Sequence, residues 1–414
     1  MLHRPRSTGP AGVATVRSMN LTSVLTELIR AEGQISRAEL ATATGLTRMT
    51  ISRFMDELTE AGMVTETVKP VRPGARGRPA SCATVTPGRR FALGVEVNAN
   101  SLTILAVDIT GSIIARRVFV QGFAGEAARR AVSWALEQAE HVLAEVAARH
   151  PDSRLIGIGM ALPGILGLDG APEIINAPNL DWRREHLTTV AAFAADHGVE
   201  LTIHNEATVA SRGATMPTPV SIPQPASFIY LSGEVGLGGA IMVNGENYTG
   251  VNGRAGEIGH VCVNPDGPLC ACGATGCLEV YLGPKGLRQR AGLGPTASAD
   301  ELITAWTNGD PAARAAVDTA GRALGLVLAA TINLVDVPAV VVGGWLSPLT
   351  QILRIHVHRE LVTRLVAFDP ADIDFLAAGD GMLAAARGAA LAVIADHITR
   401  PEDLIGTTAP PAGV

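Results

Sequence analysis

Between Glu257 and Glu279 the chain gathers side chains suited to holding a metal ion. Gly256-Glu257-Ile258-Gly259-His260 precedes Cys270-Ala271-Cys272-Gly273-Ala274-Thr275-Gly276-Cys277-Leu278-Glu279. His260, Cys270, Cys272 and Cys277 make a Cys3His set. That set suits one structural, tetrahedral zinc ion per chain, with no position left open for chemistry. Gly273 and Gly276 permit the tight loop that returns Cys277 towards the other two thiols. Redox-active cysteines and a metal-free turn are the alternatives, and three cysteines within eight residues favour metal over disulfide. The remaining cysteines, Cys82 and Cys262, read as small apolar fillers.

Around this loop the chain has 414 residues, long enough for two or three domains with sizeable cores. It is 47% hydrophobic and 17% charged, which fits a globular protein and excludes a disordered one. No apolar run in the sequence approaches the roughly 20 residues that cross a bilayer. The stretch 1–19 carries arginines but no apolar signal-peptide core, so it reads as a flexible tail, as do residues 399–414. A cytoplasmic location without membrane attachment is expected. The net charge of -6 is unevenly spread: residues 1–90 hold 13 Lys+Arg against 7 Asp+Glu, and the rest hold 20 against 32. A basic head on an acidic body suggests that the head alone meets a polyanion.

The head, residues 20–87, has the pattern to do so. Leu21, Val24, Leu25, Leu28 and Ile29 recur at helical spacing. Ser36-Arg37-Ala38-Glu39 matches a capping box that starts a second helix, which stops near Gly45. Thr47 can cap a third helix running to about Ala61, burying Ile51, Phe54, Met55 and Leu58. Two short helices joined by a glycine turn form a helix-turn-helix, whose second helix enters the major groove N-terminus first. Arg37, Thr47, Arg48, Met49, Thr50, Ser52 and Arg53 are then the candidate DNA contacts. A plain three-helix packing module would look similar, but it would not need the strand pair that comes after the third helix. Residues 63–68 alternate like a strand, residues 83–86 can return, and between them lies an arginine-rich tip. Within it Arg76-Gly77-Arg78-Pro79 is similar to an AT-hook core, whose guanidinium groups enter a narrow A·T minor groove. A basic interdomain linker is the other reading of this tip.

From Phe91 onward strands at 91–97, 102–108 and 113–120, a helix over about 125–148 and a strand at 155–160 are expected. The pattern partly repeats at 227–231, 239–243 and 339–342. A duplicated α/β layout suits two lobes around a ligand-binding cleft. The boundaries expected are 90–205 for lobe 1, with a C-terminal helix over about 383–398 packing back on it, and 206–382 for lobe 2 with the metal loop.

Taken together, the Thr-Gly-Leu-Thr helix-turn-helix, the Gly-Arg-Pro wing and the Glu-Ile-Gly-His plus Cys-x-Cys-Gly-x-x-Gly-Cys-x-Glu signature resemble the ROK family (repressors, open reading frames, kinases), in its regulator branch. The resemblance runs from about Asn20 to His397. It implies a two-lobed, actin-like, sugar-kinase or ribonuclease H-like domain behind a winged helix, with a sugar in the interlobe cleft. It also implies the sugar contacts Asn205, Glu206, Glu257, His260 and Glu279, joined by Gly164 and Asn179. Carboxylates and amides can hold paired sugar hydroxyls bidentately. His260 is expected to face metal through one ring nitrogen and sugar through the other.

Departures from the kinase pattern separate regulator from enzyme. Where a ROK kinase has Asp-x-Gly-Gly-Thr, this chain has Glu96-Val97-Asn98-Ala99-Asn100. The second phosphate loop, usually Gly-Thr-Gly-x-Gly, reads Glu234-Val235-Gly236-Leu237-Gly238, and Glu206 replaces the catalytic Asp. Side chains and negative charge therefore crowd the phosphate sites. No catalytic residue is assigned. The expectation is a sugar-responsive DNA-binding regulator, a repressor of carbohydrate genes released by a sugar or sugar phosphate. As a homodimer or tetramer it would bind an inverted-repeat operator with A/T-rich flanks. The alternatives are a sugar kinase retaining a DNA-binding head and a regulator governed by a protein partner.

Overall fold

The structure is a computed structural model that describes residues 13–31, 33–68, 81–167, 172–367, 369–379 and 381–406. The head is built of α1 (Val13–Arg30), β1 (Ile35–Ser36), α2 (Arg37–Thr44), α3 (Arg48–Glu60), β2 (Val64–Val68) and β3 (Ser81–Val85). Its small sheet has the order β1-β3-β2, with β2 and β3 antiparallel. The capping box at α2 forms as its residue types require: Ser36 Oγ accepts from the Glu39 amide and Glu39 answers the Ser36 amide. Gly45 ends α2 at φ 69°, a backbone state that glycine adopts without strain. Thr47 caps α3, whose buried face is Ile51, Phe54, Met55 and Leu58. The expected wing tip, with Arg76, Gly77 and Arg78, lies outside the described residues.

Lobe 1 begins with β4 (Arg90–Val97), β5 (Ser101–Asp108) and β6 (Ile113–Val120), an antiparallel meander. Next come α4 (Ala128–Arg149), β7 (Arg154–Leu162), β8 (Ile165–Leu166), β9 (Glu173–Ala177), β10 (Trp182–His186), α5 (Thr188–Asp196) and β11 (Glu200–Asn205). Its main sheet has the order β11-β7-β4-β5-β6, with β7 parallel to both β4 and β11. A second, three-stranded sheet, β10-β9-β8, is absent from the expected elements and forms one wall of the cleft. Lobe 2 comprises α6 (Glu206–Thr215), β12 (Phe228–Gly233), β13 (Gly238–Val243), β14 (Glu246–Asn247), α7 (Leu278–Leu282), α8 (Pro284–Arg290), α9 (Ala299–Thr307), α10 (Pro311–Val335), β15 (Ala339–Gly344), α11 (Thr350–Arg364) and β16 (Asp374–Ala377). The order β14-β13-β12-β15-β16 again joins an antiparallel hairpin to parallel strands.

The chain ends in α12 (Ala384–Thr399) and α13 (Pro401–Ile405). Alanines and glycines on α12 let it lie directly on β4, β7 and α6. A Cβ on Gly94 would sit 1.9 Å from the Ala386 carbonyl oxygen, one on Gly159 2.4 Å from that of Ala389, and one on Gly213 1.8 Å from that of Ala384. The head is not a loose appendage. Its core residues Leu25, Leu40, Met55 and Leu58 belong to one continuous apolar cluster with Ala92 and Leu105 of lobe 1 and with Leu391, Ile394 and Leu404. Polar clasps reinforce it. Arg17 pairs with Glu57 and Glu402, Thr22 Oγ1 donates to the Ile398 carbonyl at 2.9 Å, and Arg90 Nε donates to the Leu404 carbonyl at 2.9 Å.

Two expectations are corrected. Residues 13–19 are helix instead of tail, held by the Arg17 pairs. Within 399–414, Pro401–Ile405 is a helix whose Leu404 is fully buried; proline at the first position and acids in the first turn favour a helix there. Pro311–Val335 and Gly381–Thr399 are long and apolar enough to cross a membrane by length and composition, yet 61% of each apolar window is packed inside the protein. They are core helices, which need the same apolarity as a membrane span.

Candidate functional site

The ends of the two main sheets meet at an open cleft. Asn205, Glu206, Glu257, His260, Glu279, Gly164 and Asn179 all line it, beside Asn98, Ser232, Glu234 and Gly236. Each arrives there for a local reason. Asn205 ends β11 and caps α6: its Oδ1 accepts from the Thr208 amide at 3.1 Å while its Nδ2 donates to the Gly164 carbonyl at 3.0 Å. One amide thus fixes two cleft segments. Glu206 opens α6 and accepts from Ser232 Oγ at 3.4 Å. Asn179 rides on a single 3-10 turn, Pro178–Leu180, set by the small sheet of lobe 1.

Glu279, at the start of α7, ties the metal loop to both lobes. Its Oε2 accepts from the Leu237 amide at 2.9 Å and from Asn179 Nδ2 at 3.5 Å, while its Oε1 lies 3.5 Å from Cys270 Sγ. Gly236 makes this possible, since a Cβ there would stand 2.2 Å from the same carboxylate oxygen.

His260, Cys270, Cys272 and Cys277 each offer one ligand atom, and all four atoms lie within 4.8 Å of one another. The group could hold a metal ion. Cys272 and Cys277 sulfurs are 3.7 Å apart, and Cys270 Sγ is 3.8 Å from His260 Nδ1. A tetrahedral ion with metal–sulfur bonds of about 2.3 Å sets ligand–ligand edges of roughly 3.8 Å, so the donors fit such an ion. Nδ1 is the nitrogen on the thiol side, which leaves Nε2 for the cleft that His260 lines. The loop is knitted by backbone bonds from the Cys270 amide to Ala274 and from the Val263 amide to Gly276. Cys262 is exposed and Cys82 buried, so only Cys82 is the apolar filler expected of both.

At and just behind the cleft floor sit three carboxyl groups, Glu96, Glu206 and Glu234, whose mutual closeness the sequence does not present. Glu96 is buried, accepts from Asn98 Nδ2 at 3.2 Å, and has no partner for its second oxygen. Desolvation, aided by the charges of Glu206 and Glu234, pushes its pKa well up. Desolvation raises Glu206 to about 7 against the hydrogen bonds of Ser232 and Asn98, and raises Glu234 to about 7 with help from the Glu206 charge. Glu257 is raised as well, by desolvation foremost. Glu96 lies on β4, Glu206 opens α6, Glu234 follows β12 and Glu257 precedes a 3-10 turn, so only the fold brings them together. Because folding raises their pKa, the stabilisation from keeping them neutral is complete below their unfolded values and is lost as pH rises through about 7. Stability is therefore expected to fall by on the order of 2 kcal/mol between pH 5 and pH 8 from this cluster. Urea unfolding at the two pH values checks it, and Glu234→Gln should flatten the slope; an unchanged slope in that variant counts against the cluster as its source.

On the head, Arg48, Met49 and Arg53 are exposed on α3, with Met49 82% accessible, and Thr50 and Ser52 are half-buried beside them. Thr47 Oγ1 accepts from the Thr50 amide, and Arg53 also pairs with Glu57. Arg37 is half-buried at the start of α2. Its guanidinium donates to Glu66 at 2.8 and 2.9 Å and to Asp56 at 2.9 Å, so it binds α2 to α3 and β2 instead of standing free for phosphate.

Residues 24–65 match the winged helix-turn-helix DNA-binding family, and residues 92–396 match the ROK family. The chain belongs to the ROK family. Among its relatives, the xylose repressor of Bacillus subtilis is 28% identical over 275 residues, 66% of this chain and 67% of its own. NagC of Escherichia coli, a DNA-binding transcriptional dual regulator, is 26% identical over 374 residues, 83% of this chain and 86% of its own. Among solved structures, a ROK family transcriptional regulator described as a homolog of the E. coli MLC protein aligns with a TM-score of 0.76 at 22% identity, over 95% of this chain and all of that one. A ROK family glucokinase from Streptomyces griseus, solved with glucose and AMPPNP, gives 0.59 at 25% identity over 72% of this chain and 98% of that one. The ROK fold here is thus a winged helix-turn-helix followed by the actin-like sugar-kinase architecture.

Proposed function

We propose that this ROK protein is a cytoplasmic, sugar-responsive DNA-binding repressor of carbohydrate genes, acting as a homodimer or tetramer and carrying one structural zinc ion. The observation that carries the reading is the union, in one continuous core, of an exposed recognition helix and a cleft lined by carboxyl and amide side chains. The names of the relatives, a xylose repressor and a transcriptional dual regulator, support it.

Sugar hydroxyls are paired donors and acceptors, which Asn179, Glu206, Glu257 and Glu279 can match from both lobes. A sugar held by both lobes favours the closed arrangement only by its difference in affinity for the two states. Zinc, when bound to His260, Cys270, Cys272 and Cys277, supplies a rigid cross-link that orients the sensing loop. Repression then depends on how two heads meet two half-sites, about one helical turn apart in an inverted repeat with A/T-rich flanks.

A kinase reading is favoured by the likeness to the glucokinase and by Gly343-Gly344, which resembles the adenine-side loop of the ROK kinases. Against it, the Glu234 carboxylate packs against Gly344, where a Cβ would stand 2.5 Å from it. Asn98 and Ala99 also put side chains where a phosphate loop needs bare backbone. Control by a protein partner has no observation of its own here.

Selection of genomic fragments by the purified, zinc-loaded protein, repeated with a panel of sugars, tests the proposal. An inverted repeat is expected to be enriched and to be lost with one sugar. Enrichment that no sugar alters, together with ATP-dependent sugar phosphorylation, would favour the kinase instead.

A further inference from the structure

Resting on the reading of the cleft as a sugar site, we propose that it takes an unphosphorylated, uncharged sugar and rejects the corresponding sugar phosphate. The ionisable groups of the cleft wall are acidic apart from His260. Glu206, Glu234, Glu257 and Glu279 line it, Glu96 stands just behind the floor, and no lysine or arginine is among the lining residues. The sequence of residues 168–171, Leu-Asp-Gly-Ala, contains no cation either. Arg254, three residues before Glu257 in the chain, is exposed outside the cleft lining.

Two of the cleft's backbone donors, the other common means of holding a phosphate, are already answered by its own side chains. The N-terminus of α6 points a helix dipole at the cleft, which would favour an anion. Its Thr208 amide is answered by Asn205, and its first position is occupied by the carboxyl of Glu206. The Leu237 amide, in the turn that corresponds to a phosphate loop, donates to Glu279 at 2.9 Å. A phosphate monoester carries about -1.5 to -2 charges at neutral pH and would meet these carboxyl groups without a counter-ion. An uncharged sugar suffers no such repulsion. It gains from the same groups, because carboxyl oxygens accept hydrogen bonds from its hydroxyls.

Isothermal titration calorimetry on the full, zinc-loaded chain tests this with free hexoses, pentoses and N-acetylhexosamines, each beside its own terminal phosphate ester. At least one free sugar is expected to bind, with its phosphate ester weaker by about 100-fold or more. Glu234→Gln is expected to narrow that ratio by roughly tenfold, with the fold checked by thermal melting. A phosphate ester that binds as tightly as its free sugar, or more tightly, overturns the inference while leaving the sugar site in place. Binding of neither form overturns the sugar reading itself and the inference with it.

Discussion

Cys270→Ser is expected to abolish stoichiometric metal binding, with affinity falling by more than about 100-fold and stability by about 3 kcal/mol. The donor set is the reason. Three thiols and an imidazole converge with sulfur–sulfur and sulfur–nitrogen spacings of 3.7 and 3.8 Å, and no other group of His, Cys, Asp and Glu among the described residues does so. Cys270 and Cys277 are buried, and desolvation raises both thiols. Metal must therefore displace their protons, so affinity should weaken steeply as pH falls. A serine hydroxyl cannot supply the thiolate. The loop would keep its backbone bonds, but the link from metal to Glu279, and through it to the Leu237 amide and Asn179, would lose its anchor. Metal content by mass spectrometry and a thermal melt decide the matter. Cys262→Ser, at an exposed site, is the control expected to retain metal. A Cys270→Ser protein that still holds one ion per chain would show that these four side chains are not its ligands.

Gly388→Val is expected to cost at least about 3 kcal/mol or to prevent folding. A Cβ at 388 would stand 1.8 Å from the Val209 carbonyl oxygen and 2.9 Å from the Gly213 amide nitrogen. Both are backbone atoms of α6, so no side-chain rotation can make room, and the two helices would have to part along their length. Gly294→Ala, with open space around its Cβ position, should change stability by less than about 0.5 kcal/mol. Denaturant unfolding of the two variants tests the contrast. Similar stabilities would mean that α6 and α12 do not pack backbone against backbone.

The His and Cys group that could hold a metal is legible in the sequence because its residue types are rare and three of them lie close together in the chain. The buried face of α3 is legible because helical periodicity is local. What escapes the sequence is what depends on distant partners. Arg37 looks like a free cation until β2 brings Glu66 against it, 29 residues away. Glu96 and Glu234 read only as damaged phosphate loops until two sheets set them around Glu206. The small sheet over residues 165–186 has strands of two to five residues, too short for alternation to register. Its position nevertheless decides where Asn179 points. The α13 segment reads as tail because a five-residue helix has little periodicity and draws its stability from packing.

The glycine-lined seat of α12 has a mechanical consequence. With backbone against backbone on β4, β7 and α6, the helix has no slack to slide along any of them, and tilting is the freedom left to it. Its 16 residues span about 24 Å. Its first turns abut the later part of α6, at Gly213 and Val209, and its far end carries the Ile398 carbonyl that receives Thr22 of the head. A tilt of about 5° about its first turn would move the head end by roughly 2 Å, a displacement that two heads on one operator would feel as a change of pitch.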